Sequence, residues 1–157
     1  MEETRVRIEP ATWAYGHAVA ANMRPCDIAE VWALARHSPQ EAMERSLEIP
    51  GEAHCFLVND VPLAVFGCAE TAALDVGSPW LLGAVGVERY TRHFLMLGRK
   101  YVSRWADEYR DLYNVVDARN QPSIDWLVRL GFVFGEPIPI GPDATLFLPF
   151  HLRGFHV

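Results

Sequence analysis

Asn120-Gln121-Pro122-Ser123-Ile124-Asp125-Trp126-Leu127-Val128-Arg129-Leu130-Gly131-Phe132 is the stretch on which the fold turns. Asn120 is a helix-capping residue, because its side-chain oxygen accepts from a first-turn N–H that has no partner inside the helix. Pro122 suits the first turn, where a missing N–H costs nothing. Ile124, Leu127 and Leu130 then recur at helical spacing, which predicts an inward face. Gly131 ends the helix and residues 132–134 resume as a strand. The segment is a strand exit, a short capped helix, a stop and a new strand.

Outward from it, toward the N-terminus, residues 113–117 read as a buried strand. Residues 89–106 form the longest helix, with Tyr90, Phe94, Leu97, Tyr101 and Trp105 on one face. Residues 80–85 make an apolar strand after a loop at 72–79. Residues 54–59 and 62–69 form a hairpin across Asn59-Asp60-Val61. Ser38-Pro39-Gln40-Glu41 is a helix start with a cap, a first-turn proline and a capping box, and that helix ends near Ile49. Before it lie a helix from Pro25 to Ala35, expected to bury Ile28, Val31, Trp32 and Leu34, and a helix over 11–23. A strand at 6–9 comes first. Toward the C-terminus, residues 146–151 close the chain after a loop containing Pro137, Pro139, Gly141 and Pro142. No repeat or linker interrupts the pattern, so residues 1–157 read as one domain. The order predicts an α/β fold: a mixed, mostly antiparallel sheet flanked by helices on both faces.

Half of the 157 residues are hydrophobic, enough for a core without disulfides. No apolar run reaches the roughly 18 residues that cross a bilayer, and the polar start Met1-Glu2-Glu3-Thr4-Arg5 is no secretory signal, so no membrane partner is expected. The net charge of −6 argues against general nucleic-acid binding. Residues 1–79 hold 5 Arg against 12 Asp and Glu; the remainder hold 9 Lys and Arg against 8. Cys26, Cys55 and Cys68 fit no zinc spacing and read as free thiols. His17, His37, His54, His93, His151 and His156 are scattered without ligand spacing, so no metal is expected.

The element order, with Asn120, the apolar pair Trp126-Leu127, Arg129 and Gly131-Phe132 at their spacing, resembles the GNAT acyltransferases. That resemblance implies a GNAT-like sheet and a site for acetyl-CoA. The cofactor's diphosphate would rest on backbone N–H groups at the start of the long helix, where the helix dipole favours anions. A base would take the amine's proton, and a tyrosine would protonate the departing thiolate. The cradle falls on Gly83-Ala84-Val85-Gly86-Val87-Glu88-Arg89, which lacks the family's Arg/Gln-x-x-Gly-x-Gly/Ala spacing and places Glu88 beside the anion. The tyrosine falls on Leu127, which has no proton to give. Gly83, Gly86 and Asn120 would therefore be the cofactor-binding residues if acetyl-CoA binds, with no catalytic residue assigned.

A second resemblance covers most of the chain. Arg7-Ile8-Glu9-Pro10, Pro62-Leu63-Ala64-Val65-Phe66-Gly67, Trp80, Glu108-Tyr109-Arg110-Asp111, Leu112-Tyr113-Asn114-Val115-Val116 and Asn120 with Ile124-Asp125-Trp126-Leu127 are similar to the internal virion protein A (internal core protein) family of short-tailed coliphages. It implies a part in virion assembly through protein contacts, in the host-cell cytoplasm or the virion, with virion or assembly proteins or a second copy as partners. The main expectation is thus a GNAT-fold virion protein without cofactor. The alternative is an acyl-CoA-dependent N-acyltransferase with a degenerate diphosphate loop. Arg92, Arg99 and Lys100, in a basic stripe on the long helix with Arg89 and Arg104, are the candidate partner-binding residues. Trp80, Phe94, Tyr101, Trp126 and Leu127 are expected in the core, Leu127 ahead of Trp126.

Overall fold

The computed structural model describes residues 3–154; Met1, Glu2 and His156 lie outside the described residues. The elements run β1 (Val6–Pro10), α1 (Trp13–Ala21), α2 (Pro25–Ala35), α3 (Pro39–Glu48), β2 (Gly51–Val58), β3 (Val61–Glu70) and β4 (Val76–Gly83). A single 3-10 turn (Val87–Tyr90) leads into α4 (Thr91–Glu108). Then come β5 (Asp111–Asp117), α5 (Gln121–Arg129), β6 (Val133–Phe134), β7 (Ile138–Ile140) and β8 (Thr145–Arg153).

The sheet order is β1-β2-β3-β4-β5-β8-β6, with β7 also on β8. Every neighbouring pair is antiparallel except β4 and β5. The expected mixed, mostly antiparallel sheet is present, with helices on both faces. Side chains alternate across a strand, and the register tells the faces apart. Glu9 lies opposite Cys55, which lies opposite Val65, and Glu9 accepts from the Tyr15 hydroxyl of α1 at 2.5 Å. Their neighbours Phe56 and Phe66 point the other way, meeting Phe94 of α4 edge-on at 5.4 and 5.7 Å. α5 joins that second face by stacking Trp126 on Phe94 at 4.7 Å.

Local chemistry starts these elements as expected. Ser38 and Glu41 form the capping box of α3, and Asn120 caps α5 by accepting from the Ser123 N–H at 3.3 Å. Several expectations need correction. β4 begins at Val76, inside the expected loop, because Val76 and Gly77 pair with β5. The Pro- and Gly-rich loop contains β7, which pairs with β8 around a turn at 141–144. Trp126 is the buried residue of α5, at 5% exposure, while Leu127 is half-buried, since Phe94 claims the indole. Trp80 and Tyr101 pack on the core from its margin. Most consequentially, α2 exposes Ile28, Trp32 and Leu34 and buries Asp27 with Val31 and Ala33.

Candidate functional site: a split seam in the sheet

β4 and β5 are parallel and pair only at Val76 with Asp111 and Gly77 with Leu112. Beyond these residues the strands diverge, and each edge has lost its ladder partner. Unpaired buried backbone groups are costly, so the partners that replace the ladder define the site. Pro79 sits on the open edge of β4, where a residue without an N–H leaves no donor unpaired. Asn114 bridges the start of the gap: its Nδ2 donates to the Pro79 carbonyl at 2.8 Å, and its Oδ1 accepts from the Val115 N–H at 2.8 Å. At the far end of β4 the Gly83 N–H donates to Asp27 Oδ2 at 2.8 Å, and the Gly83 carbonyl accepts from the Arg24 N–H at 2.8 Å. At the far end of β5 the Asp117 N–H donates to Glu30 Oε1 at 2.7 Å. The alternation that turns Pro79 and Gly83 toward the gap turns the Leu81 N–H and carbonyl the same way.

The far end of the seam is locked. Arg24, 1% exposed, forks onto Asp27 with Nε to Oδ2 at 2.8 Å and Nη2 to Oδ1 at 3.0 Å. Its remaining donors reach Glu88 at 3.1 Å and Ser123 Oγ at 3.0 Å, and its guanidinium lies 5.2 Å from the centre of the Trp126 ring. Asn120 Nδ2 donates to Asp27 Oδ1 at 3.1 Å. Arg24, Asp27, Gly83, Glu88, Asn120 and Ser123 thus form one hydrogen-bonded cluster at this end. Gly83 is glycine for this reason: a Cβ there would stand 2.8 Å from Arg24 Nε.

The loop after β4 is partly spoken for. The N–H groups of Ala84, Val85, Val87 and Arg89 donate to the carbonyls of Leu63, Asn22, Ala84 and Gly86. Gly86, with φ 95°, supplies the left-handed turn into the 3-10 segment. These four amides are committed inward, whereas the Gly86 and Glu88 N–H groups make no backbone hydrogen bond among the described residues, and Glu88 adds a carboxylate beside them. The inward amides and the Glu88 carboxylate make the loop a poorer cradle for a diphosphate than a fully free helix start.

Below the lock the gap holds a cavity of about 370 Å³. Its walls come from both faces of the sheet: Glu30, Val31 and Leu34 of α2 on one side, and Phe94, Tyr101 and Trp105 of α4 on the other. Leu81 and Val115 of the diverging strands border it, with Trp126 and Leu127 of α5. Among the described residues that line it, Glu30 alone carries a charge. Burial pushes the Glu30 carboxyl up to about 7, and Asp27 and Asp117 add to the rise against the donors from Asp117 and Asn120.

The candidate residues fall into separate places. Gly83 and Asn120 belong to the lock, and Gly86 to the turn above it. Leu127 lines the cavity without a hydroxyl. Arg92 and Arg99 share an outer groove with Arg129, which the sequence reading did not include, and Lys100 is exposed beside them. Arg104 leaves the stripe, since it is held by Glu52 at 2.6 Å and Glu108 at 3.2 Å. Arg24, Asp27 and Glu30 were missed. The available signal was that α2 carries apolar residues all around, so that something polar had to face inward. Cys55 and Cys68 are buried, with thiols pushed by burial to about 12, and Cys26 to about 11. Among the described residues no group of three His, Cys, Asp or Glu is placed to hold a metal ion, and no helix is long and apolar enough to cross a membrane.

No family model matches the chain, and no curated protein does. Solved structures do. Ard1 from Thermoplasma volcanium superposes with a TM-score of 0.72 at 13% identity, over 96% of this chain and 99% of that one. An acetyltransferase of the GNAT family from Streptococcus pneumoniae gives 0.61 at 11%, over 95% and 99%. The ribosomal-protein-S18-alanine N-acetyltransferase from Escherichia coli gives 0.63 at 15%, over 98% and 96%. Nothing in these comparisons supports the resemblance to internal virion proteins. These superpositions cover nearly the whole of each chain, and the chain has the GNAT fold.

Proposed function

We propose that the chain is an N-acyltransferase that works in the split seam, with Glu30 as the base. The carrying observation is the cavity that spans the sheet between β4 and β5 with one carboxylate on its wall. Acyl transfer to an amine needs three things from a protein. A group near neutrality must take the ammonium proton, and Glu30 stands at about 7. Water must be kept from the acyl group, and the walls are largely aromatic and aliphatic. A donor must face the developing oxyanion, and the Leu81 N–H points into the gap. The departing thiolate finds no tyrosine at Leu127 and leaves without a protonating residue there.

The loop at 84–90 lacks the Arg/Gln-x-x-Gly-x-Gly/Ala spacing and carries Glu88, so weak affinity for acetyl-CoA is expected. Activity is read as amine-dependent thiol release over a panel of acyl thioesters, from acyl-pantetheine to acyl-CoA. The expected result is turnover that falls about 10²-fold or more in Glu30→Gln. No amine-dependent release with any donor overturns the proposal.

The lock itself favours one other reading. A seam end filled by Arg24, Asp27 and Asn120 suits a GNAT-fold protein that acts through protein contacts, as in virion assembly. Capture of virion proteins together with absence of thiol release supports that reading.

A further inference from the structure

We infer that the cavity between β4 and β5 is a binding site for a small apolar amine, its ammonium held by Glu30 and its apolar body by the surrounding aromatic rings. The inference names the acceptor class for the acyltransferase reading; it rests on that reading for the amine's fate.

Size sets the first bound. A cavity of about 370 Å³ lies within the range of small-molecule sites, roughly 300–1,000 Å³. A dry cavity of about 150 Å³ takes benzene, so an aromatic ring with a short amine tail fits here. The lining sets the second. Phe66, Phe94, Tyr101, Trp105 and Trp126 present ring faces and edges, and Phe147 and Phe150 close the β8 side. Such walls favour apolar bodies, and aromatic faces attract cations. A peptide or sugar would leave many polar groups without partners there.

Charge sets the third. Glu30 is the only charged residue lining the cavity among those described, and no basic residue lines it. The groups facing Glu30 are the Asp117 N–H, Asn120 Nδ2, and the carboxylates of Asp27 and Asp117. The nearby cations are committed elsewhere: Arg24 to Asp27 and Glu88, and Arg119 to Asp117. Glu30 therefore has hydrogen-bond donors but no counter-ion. A half-buried carboxylate without one is what a bound ammonium repairs.

The test is calorimetric titration of the full chain with 2-phenylethylamine and with 2-phenylethanol, which has the same ring and tail but no charge. The amine is expected to bind at least about tenfold tighter than the alcohol. Its affinity should rise between pH 5.5 and 8, as Glu30 loses its proton near pH 7 while an alkylamine stays charged to about pH 10. Glu30→Gln should remove the preference and leave alcohol binding in place. Circular dichroism checks the fold, and Glu30→Asp, which keeps the charge, should retain part of the preference. Equal binding of the two probes, no binding of either, or amine affinity unchanged in Glu30→Gln overturns the inference. Amine binding without transfer from any thioester would leave this inference standing and defeat the acyltransferase. Transfer to other acceptors with no binding of the probe would do the reverse.

Discussion

The two ends of the β4–β5 seam meet the same problem and solve it differently. Both lie where a peptide ladder stops and leaves backbone groups without partners. At the far end α2 drives Arg24 and Asp27 into the gap, and the pair satisfies Gly83, Glu88, Ser123 and Asn120 at once. Nearer the paired start of the strands the gap opens into the cavity, walled by rings and bordered by the Glu30 carboxylate, which has no ion-pair partner among the described residues. Buried charge is tolerated when every donor has an acceptor. The locked end is therefore a structural device, and the cavity is the place with capacity left for a ligand.

Removing one member from each end should separate them by size of effect. Asp27→Ala strands a buried guanidinium, the Gly83 N–H and Asn120, and should cost about 3–5 kcal/mol. Leu127→Ala, on a half-buried cavity wall that is already open, should cost about 1–2 kcal/mol, less than truncation of a fully buried leucine. Urea unfolding of both variants gives the comparison. Equal losses would mean that the lock holds no more of the fold than the cavity wall does.

Proton linkage sharpens the contrast at intermediate size. Glu30 stands at about 7, above the 4.5 of a free glutamate, because burial penalises its charge. The native state then binds the extra proton between those values, so this group lowers stability as pH rises from about 4.5 to 7. Glu52 does the opposite. Burial pushes it up too, but donors from Arg104, His54 and Trp105 outweigh that and hold it at about 2. Its contribution is full above pH 4.5 and is lost as pH falls toward 2. Glu30→Gln should thus gain on the order of 1–3 kcal/mol relative to wild type between pH 5 and pH 8. Denaturant midpoints across pH measure it. A flat difference would mean that Glu30 is well hydrated.

The fold was legible because its signals are local and repeated. The capping box at Ser38 and Glu41, the Asn120 cap and the aromatic spacing of α4 each fix an element without help from the rest of the chain. The seam was not legible, because it is defined by where pairing stops. Val76 and Gly77 read as loop, yet they make the only β4–β5 pairs. Asp27 and Glu30 drew no reading at all, since Ile28, Trp32 and Leu34 offered a plausible apolar face. Only the position of α2 against the open strand edges turns the acidic side inward. Gly83 was weighed as a phosphate contact, while its lack of a side chain answers to Arg24. Leu127 lines the cavity, and it was incorrectly set ahead of Trp126 in the core.

The smallest effect concerns the outer face of α4, where charges have neither the burial of Arg24 nor the isolation of Glu30. Arg92 and Arg99 lie seven residues apart, nearly in line on a helix of 100° per residue, and share a groove with Arg129. None of the three, nor Lys100, forms an ion pair among the described residues, whereas Arg104 is tied to Glu52 and Glu108. A basic face on a chain of net charge −6 suits an acidic partner, and the acidic first half of a second copy is one such surface. Exposed pairs contribute only about 0–1 kcal/mol each, and the screening length falls from about 10 Å at 0.1 M salt to about 3 Å at 1 M. Association through this face should therefore be weak, fade at high salt, and decline further when Arg92, Arg99 and Lys100 are changed to Gln. Sedimentation at the two salt concentrations, with virion-protein pull-down alongside, reads the outcome. Arg104→Gln is the internal contrast: it should loosen the Glu52 cluster and leave association as it was. Binding that is indifferent to salt and to the triple change would make this face ordinary solvated surface, and would leave the seam, among the described residues, as the place with unspent chemistry.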